Sequence, residues 1–315
     1  MSDDRPLVDV VCAVIQKPTG EFLLAQRPAG KVYAGYWEFP GGKVDCGESL
    51  AEATARELNE ELGIVVKESY PWLTRQFSYP HARVRLHFRR IMRWQNEPRG
   101  RENQAFAWQS ISDISVGPLL PANGPILAAL SLPTIYGITH AYELGEEEML
   151  RRLELALHKG LRLIQVREKN WSREKMSAFA STVIALGRRF GARVLFNSEI
   201  EIARKLGADG VHLTASQLMA LTQRPDIALC GASCHHAREL LRAEELGLDL
   251  VVLGSVLATP SHPNDQPLGW NRFLELTQDY SLPIFALGGL SPADQQTAWQ
   301  HGAHGLAMLR NAWPA

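Results

Sequence analysis

Five side chains crowded into one segment could do chemistry together: Glu48, Arg56, Glu57, Glu60 and Glu61. Ser49 and Glu52 form a Ser-x-x-Glu capping box, which predicts a helix over about 49–62. Ala51, Ala55, Leu58 and Leu62 recur at helical spacing and should form one buried stripe. Glu57 and Glu61, at i and i+4, are expected on the opposite face with Glu60 beside them. Three carboxylates so close repel one another unless a cation sits between them. Hard divalent cations such as Mg²⁺ choose oxygen ligands and share them with substrate phosphates. Gly63 can end the helix in a left-handed turn, and Gly41-Gly42 lets backbone come close to the site. The plain alternative is a solvated acidic face on a surface helix.

The elements that must position these groups fall into two rhythms. Residues 8–16 read as a strand, with 21–26 as its hairpin partner across Pro18-Thr19-Gly20. After the helix come strand-like runs near 72–79, 83–94 and 104–110. This irregular order predicts an α+β sandwich over residues 1–131. Ser131-Leu132-Pro133 reads as a linker. From Thr134 to the end, apolar runs at 135–139, 161–168, 193–197, 210–213, 227–234, 250–255, 283–288 and 305–309 alternate with amphipathic helices. Eight such repeats predict an α/β (β/α)₈ TIM barrel over 134–315, with a doubly wound open sheet as the alternative.

The run from Gly42 to Ile64 fits the Nudix box, Gly-x₅-Glu-x₇-Arg-Glu-aliphatic-x-Glu-Glu-x-Gly-aliphatic, at every fixed position. The first domain therefore resembles a Nudix hydrolase. The resemblance implies that Glu57, Glu60 and Glu61 bind Mg²⁺, with Mn²⁺ as a substitute, while Arg56 and Glu48 brace the loop–helix–loop. It implies that an activated water attacks phosphorus and that a helix glutamate or a neighbouring loop carboxylate takes its proton.

Over about residues 8–130 the likeness extends to the MutT-type 8-oxo-dGTP pyrophosphohydrolases. It is carried by Trp37-Glu38-Phe39-Pro40-Gly41-Gly42-Lys43, by Gln26-Arg27, by Trp94 to Pro98 with Gly100-Arg101-Glu102, and by Pro121-Ala122-Asn123. By this resemblance Glu102 is a further metal ligand, and Arg27, Phe39, Gly41, Gly42, Lys43 and Asn123 bind substrate. An asparagine offers both an acceptor and donors, so it can pair with the O6 and N7–H edge of 8-oxoguanine. A site built to pair with a group rejects analogues that lack it. Read alone, Phe39 is equally a core residue, and Asn123 before Gly124-Pro125 has turn composition.

The second domain resembles the thiamine-phosphate synthase and thiazole tautomerase superfamily across 134–315. Tyr136-Gly-Ile-Thr139, Gln165-Val-Arg167-Glu-Lys169, Ala208-Asp-Gly-Val-His212 and Leu287-Gly288-Gly289-Leu290 carry the likeness. These lie at strand C-terminal ends, where barrels place their sites. Gln165, Arg167, Lys169, Asn197, His212, His235, Gly288 and Gly289 are the candidate ligand residues, the glycines holding phosphate by backbone N–H. The chain departs from the synthases where they place metal-binding aspartates: Ser198 follows Asn197, and Gln217 lies beyond His212. His262 stands where they have a lysine. Ser233-Cys234-His235 is similar to the Ser-x-His of the tautomerases, whose histidine moves protons, although a histidine at a strand end is often merely hydrogen-bonded.

The 315 residues, 45% hydrophobic and 21% charged, suit a two-domain globular protein. A net charge of -1 gives no field to hold DNA or RNA. The start, with its two acids, is not expected to be a signal peptide, and no run suggests a membrane span. Cys12, Cys46, Cys230 and Cys234 lack zinc-type spacing and read as reduced thiols of a cytoplasmic protein. The expected function is conversion of 8-oxo-dGTP to the monophosphate and pyrophosphate, cleansing the nucleotide pool. The expected partners are a nucleoside triphosphate and, at the barrel, a thiazole or pyrimidine phosphate. Hydrolysis of a thiamine diphosphate derivative, or a barrel that senses a ligand, are the competing readings.

Overall fold

The computed structural model describes residues 5–101, 104–168, 171–259 and 266–314. The chain divides into two units, Met1–Ser131 and Leu132–Ala315.

In the first unit β1 (Leu7–Ile15), β2 (Phe22–Gln26) and β3 (Trp37–Glu38) precede α1 (Leu50–Leu62). Then follow β4 (Val65–Ser78), β5 (Arg83–Gln95), β6 (Phe106–Gln109) and α2 (Gly124–Leu130). Two three-stranded sheets form, ordered β1-β5-β4 and β3-β2-β6. The expected β1–β2 hairpin is confined to its turn, where Gln16 bridges Phe22 and Lys17 N–H bonds Glu21 O at 2.9 Å. One edge of β1 pairs in parallel with β5. Its other edge is taken by the glycine loop, through Val11 N–H to Gly42 O and Ala13 N–H to Pro40 O, both 2.8 Å. With both edges filled, β1 has no place for β2, which joins β3 and β6 instead. Strand β4 also starts well before the expected position near 72, and the short β3 had no periodicity to reveal it.

Strand β1 is buried on both faces. Cys12 and Val14 pack with Phe22, Leu24, Phe39, Phe88 and Ile126. Ala13 and Ile15 pack with Leu58, Leu62 and Ile91, which seats α1 against the sheet. Leu58 and Leu62 are wholly buried, each contributing about 2–3 kcal/mol through lost apolar surface. The stripe on α1 differs from expectation. Ala53, Thr54, Leu58 and Leu62 are buried, whereas Ala51 in the first turn is exposed and Ala55 lies at the stripe's edge. Glu61 is buried too, because three residues beyond Leu58 lies only about 60° round the helix. It flanks the apolar stripe and does not oppose it.

The second unit is a closed barrel, which excludes the open-sheet alternative. Its eight strands are β7 (Ile135–Ile138), β8 (Leu163–Val166), β9 (Arg193–Asn197), β10 (Gly210–Leu213), β11 (Leu229–Cys234), β12 (Leu250–Gly254), β13 (Ile284–Leu287) and β14 (Gly305–Met308). All neighbours run parallel, and β14 closes on β7. Alternation along each strand splits the core in two. Tyr136, Leu163, Leu195, Leu250 and Phe285 fill the interior. Ile164, Val194, Phe196, Val211 and Leu253 face outward, packing with Leu153, Phe179, Leu240 and Phe273 of the surrounding helices.

Candidate active site

Helix α1 begins as its sequence dictates. Ser49 Oγ accepts from Glu52 N–H, and the Glu52 carboxylate accepts from Ser49 N–H. It ends at Gly63, whose φ of 67° closes the last turn on Asn59 O. Arg56 is the organising cation. Its fork donates to both oxygens of Glu48, from Nε at 3.0 Å and Nη2 at 2.9 Å. It also donates to Glu57 at 2.8 Å, Glu60 at 3.3 Å and Lys43 O at 3.0 Å. Charge-assisted, bidentate bonds of this kind fix geometry as well as energy. The Arg56 guanidinium holds the Glu48 carboxyl below the usual carboxylate range. The loop before α1 and the helix are thereby joined through one arginine.

The glutamates meet the glycine loop. Gly41 N–H donates to the buried Glu61 carboxylate at 3.2 Å. Gly42 lies so close to Glu57 that a Cβ there would stand 2.3 Å from its carboxylate. Because β1 pins the loop by the bonds at Gly42 and Pro40, Glu57 and Glu61 are set against successive residues of a fixed backbone. Glu60 is exposed. Among the described residues no three acidic, imidazole or thiol groups are already gathered as a metal cage. Arg56 draws Glu57 and Glu60 to itself. The donors are nonetheless oxygen-only carboxylates beside open backbone, which suits a hard divalent ion. Arg99 N–H and Arg101 N–H bond to Leu62 O and Glu61 O, so the following loop is tied to the same helix end. Glu102 lies outside the described residues.

On the adjoining side, Asn123 is buried and its Nδ2 donates to Trp37 O at 3.4 Å. Arg27 grips both oxygens of Glu38, at 2.6 and 2.8 Å, and donates to Val32 O. Burial raises the Glu38 carboxyl's pKa despite this partner. Glu38 received no role from the sequence, although it stood in the motif beside Phe39. Phe39 takes the core position that the sequence also allowed: at 2% exposed it packs with Phe22 and Phe88. Lys43 is exposed at the loop.

The barrel holds a cavity of about 460 Å³ at its C-terminal end. Gln165, Arg167, His212, His235, Gly288 and Gly289 all line it. Asn197 does not. It accepts from Gln165 Nε2 at 2.8 Å and donates to Ser198 Oγ at 2.8 Å. Lys169 and His262 lie outside the described residues. His212 is wholly buried between the Tyr136 hydroxyl at 3.2 Å and Ser233 Oγ at 3.0 Å. Desolvation, with Arg167 nearby, lowers its pKa to about 3, so the imidazole is neutral. His235 is largely exposed, 3.3 Å from Glu239. Arg310, paired with Glu143, also lines the cavity, and only its position just after the last strand could have signalled it.

The expected metal positions in the barrel are otherwise employed. Gln217 caps the short helix Ala215–Ala220. Its Oε1 accepts from Thr214 N–H at 3.0 Å, and its Nε2 donates to Ser198 O at 2.9 Å. A neutral amide with both ends bonded offers a divalent cation nothing in place of a carboxylate, so these residues do not fit a metal.

A Nudix fold with its signature helix intact thus precedes a thiamine-synthase-type barrel. The Nudix domain family matches residues 6–130, and the thiamine monophosphate synthase family matches residues 135–312. The chain belongs to both families, one in each unit. The first unit is similar to the 8-oxo-dGTP diphosphatase of Haemophilus influenzae, 36% identical over 127 residues, spanning 40% of this chain and 93% of that protein. The second is similar to the thiamine-phosphate synthase of Saccharophagus degradans, 32% identical over 183 residues, spanning 56% and 84%. Among solved structures, the thiamine phosphate pyrophosphorylase from Pyrococcus furiosus is 26% identical, with a TM-score of 0.48, spanning 56% of this chain and 85% of that one. No helix among the described residues is long and apolar enough to cross a membrane.

Proposed function

We propose that the first unit is a Mg²⁺-dependent pyrophosphohydrolase of oxidised purine nucleoside triphosphates, 8-oxo-dGTP above all, releasing the monophosphate and pyrophosphate. The observation that carries this reading is the Arg56 hub, which joins Glu48, Glu57 and Glu60 to a glycine loop resting on Glu57 and Glu61. Likeness to a diphosphatase of 8-oxo-dGTP supports the choice of substrate.

Glu57, Glu60 and Glu61, with Glu102, would hold the cation, and Mn²⁺ would serve in place of Mg²⁺. When bound, such a cation supplies charge neutralisation for the diphosphate and a lowered pKa for water. Arg56 keeps Glu48 and the helix carboxylates in register. A helix carboxylate not spent on the cation accepts the proton of the attacking water. Asn123 and the Arg27–Glu38 pair, met through Trp37 and its neighbours, bind the base and sugar side. The test is turnover of purified protein on 8-oxo-dGTP, dGTP, ADP-ribose and thiamine diphosphate. Glu57→Gln, Glu60→Gln and Glu61→Gln should each lower it at least ~100-fold with folding intact. Undiminished rates in excess chelator would refute the reading, and preference for thiamine diphosphate would replace the substrate.

For the barrel, we infer a binding site for a thiazole or pyrimidine phosphate that lacks synthase turnover. Arg167 and the Gly288-Gly289 turn, with φ of 107° and 67°, offer a cation and backbone N–H groups to one phosphate without a metal. Calorimetry with a thiazole phosphate and a synthase assay test the two halves separately. Should His235 shuttle a proton on such a ligand, His235→Ala would abolish turnover and spare binding.

A further inference from the structure

Gln104 is a buried amide that the Nudix motif does not include. It is 8% exposed, and its Nε2 has no hydrogen-bond partner. Buried donors are rarely left unpaired, and each exception calls for a reason.

Its position in the ladder suggests one. Strands β2 and β6 pair from Phe22↔Gln109 to Ala25↔Phe106, and the ladder continues as Gln26 N–H bonds Ala105 O at 2.7 Å. One step further, Gln104 stands opposite Arg27. Directly opposed residues of an antiparallel pair share a face. Gln104, Phe106 and Trp108 therefore alternate onto the face of Leu23, Ala25 and Arg27. Leu23, Phe106 and Trp108 pack with Leu58 and Leu62 of α1, so that face looks toward the glutamate helix. Glu38, opposite Ala25 on β3, shares it. The segment leading to Gln104 is itself tied to Glu61 O and Leu62 O. Gln104 thus shares a face with the Arg27–Glu38 pair, and the loop before it is tied to the helix end that carries the glutamates. A triphosphate reaching from one to the other would pass near it.

We propose that Gln104 contacts the substrate of the Nudix site, donating from Nε2 to a non-bridging phosphate oxygen. The inference rests on the pyrophosphohydrolase reading above. An uncharged N–H donor suits that oxygen, since it accepts a charge-assisted bond without competing for the cation.

The test compares the full-length wild type with Gln104→Met and Gln104→Glu. Turnover of 8-oxo-dGTP is measured in Mg²⁺, binding of a dGTP analogue with a methylene between the α and β phosphorus by calorimetry, and unfolding temperature by calorimetry. Methionine keeps length and removes the donor, whereas glutamate replaces it with an anion facing phosphate. Gln104→Met should lose about 10- to 100-fold in kcat/KM and bind the analogue correspondingly more weakly. Its unfolding temperature should hold or rise, because the unpaired Nε2 gives the fold nothing. Gln104→Glu should lose more than methionine does. A merely structural role predicts the converse, a lower unfolding temperature with kcat and KM intact. If the wild type turns over and Gln104→Met matches it in kcat and KM, the inference falls and the pyrophosphohydrolase reading stands. If the wild type neither hydrolyses 8-oxo-dGTP nor binds the analogue, both fall.

Discussion

Gly42→Ala separates the site's geometry from its stability. Gly42 has an ordinary φ, so alanine strains no backbone there. The new methyl carbon would stand 2.3–2.4 Å from the Glu57 carboxylate atoms. Ordinary contact begins near 3.4 Å, so the carboxylate must retreat by about 1 Å. It sits at the end of a flexible side chain, and the fold should lose less than ~1 kcal/mol, as for most substitutions without a cavity or an orphaned group. Catalysis is far less tolerant, since a 1 Å misplacement can cost about 100-fold. Gly41→Ala is the contrast. Its φ is 148° and its Cβ would stand 2.0 Å from Val11 O, which is backbone held in the β1 ladder. That variant should unfold the loop or the unit. Steady-state turnover of 8-oxo-dGTP alongside thermal unfolding reads both. Wild-type turnover in Gly42→Ala would refute the reasoning, because Glu57 would then not need its present position.

Three further outcomes follow from the site and its surroundings. Asn123→Ala should erode the preference for 8-oxo-dGTP over dGTP by about 10- to 100-fold and spare generic triphosphate turnover. Retained selectivity would make Asn123 only a support for Trp37. Residues 1–131 alone should fold and keep most hydrolase activity, and an inactive fragment would show that the barrel completes the site. His212, with a folded pKa of about 3 against 6.5 unfolded, makes the barrel acid-sensitive. Between those values the unfolded chain binds a proton the folded one refuses, so stability falls with falling pH, by at most roughly 3–5 kcal/mol. Denaturant unfolding of His212→Gln should flatten that fall, and an unchanged pH profile would refute the assignment.

What the sequence disclosed depended on how local each feature is. The capping box at Ser49 and Glu52 and the αL turn at Gly63 are made by residues within a turn of each other, and both appear as expected. Barrel strands buried on both faces read as apolar runs, so all eight were legible. The β1–β2 hairpin goes no further than its turn because the choice lay between two edges, and the winning partner, the glycine loop at 40–44, is remote in sequence. The Arg27–Glu38 pair and the core position of Phe39 likewise depend on which strands become neighbours. Gln217 is a different case. Thr214-Ala-Ser-Gln217 is itself a capping box, made by residues within one turn of each other and legible in the sequence.

That glutamine permits a last test. The chain's two units meet local charge in opposite ways. On α1 several carboxylates crowd together and Arg56 is divided among them, an arrangement that leaves room for a further cation. At the barrel's β9 and β10 ends the loops are joined by neutral bonds through Ser198 and Gln217, while the neighbouring Glu199 carboxylate is taken by Arg173 at 3.2 Å. Gln217 accepts from Thr214 N–H and from the Thr214 hydroxyl at 3.1 Å, and donates to Ser198 O, whose residue holds a φ of 68°. Gln217→Met keeps the side chain's length and removes all three bonds. A helix cap and a half-buried amide bond together are worth about 1–2 kcal/mol. In a unit of this size that lowers the unfolding temperature by roughly 2–8 °C. Calorimetry of the full chain should show the shift in the transition absent from the 1–131 fragment. An unshifted transition would mean that the clasp contributes nothing, and that Gln217 is only the trace of a lost ligand.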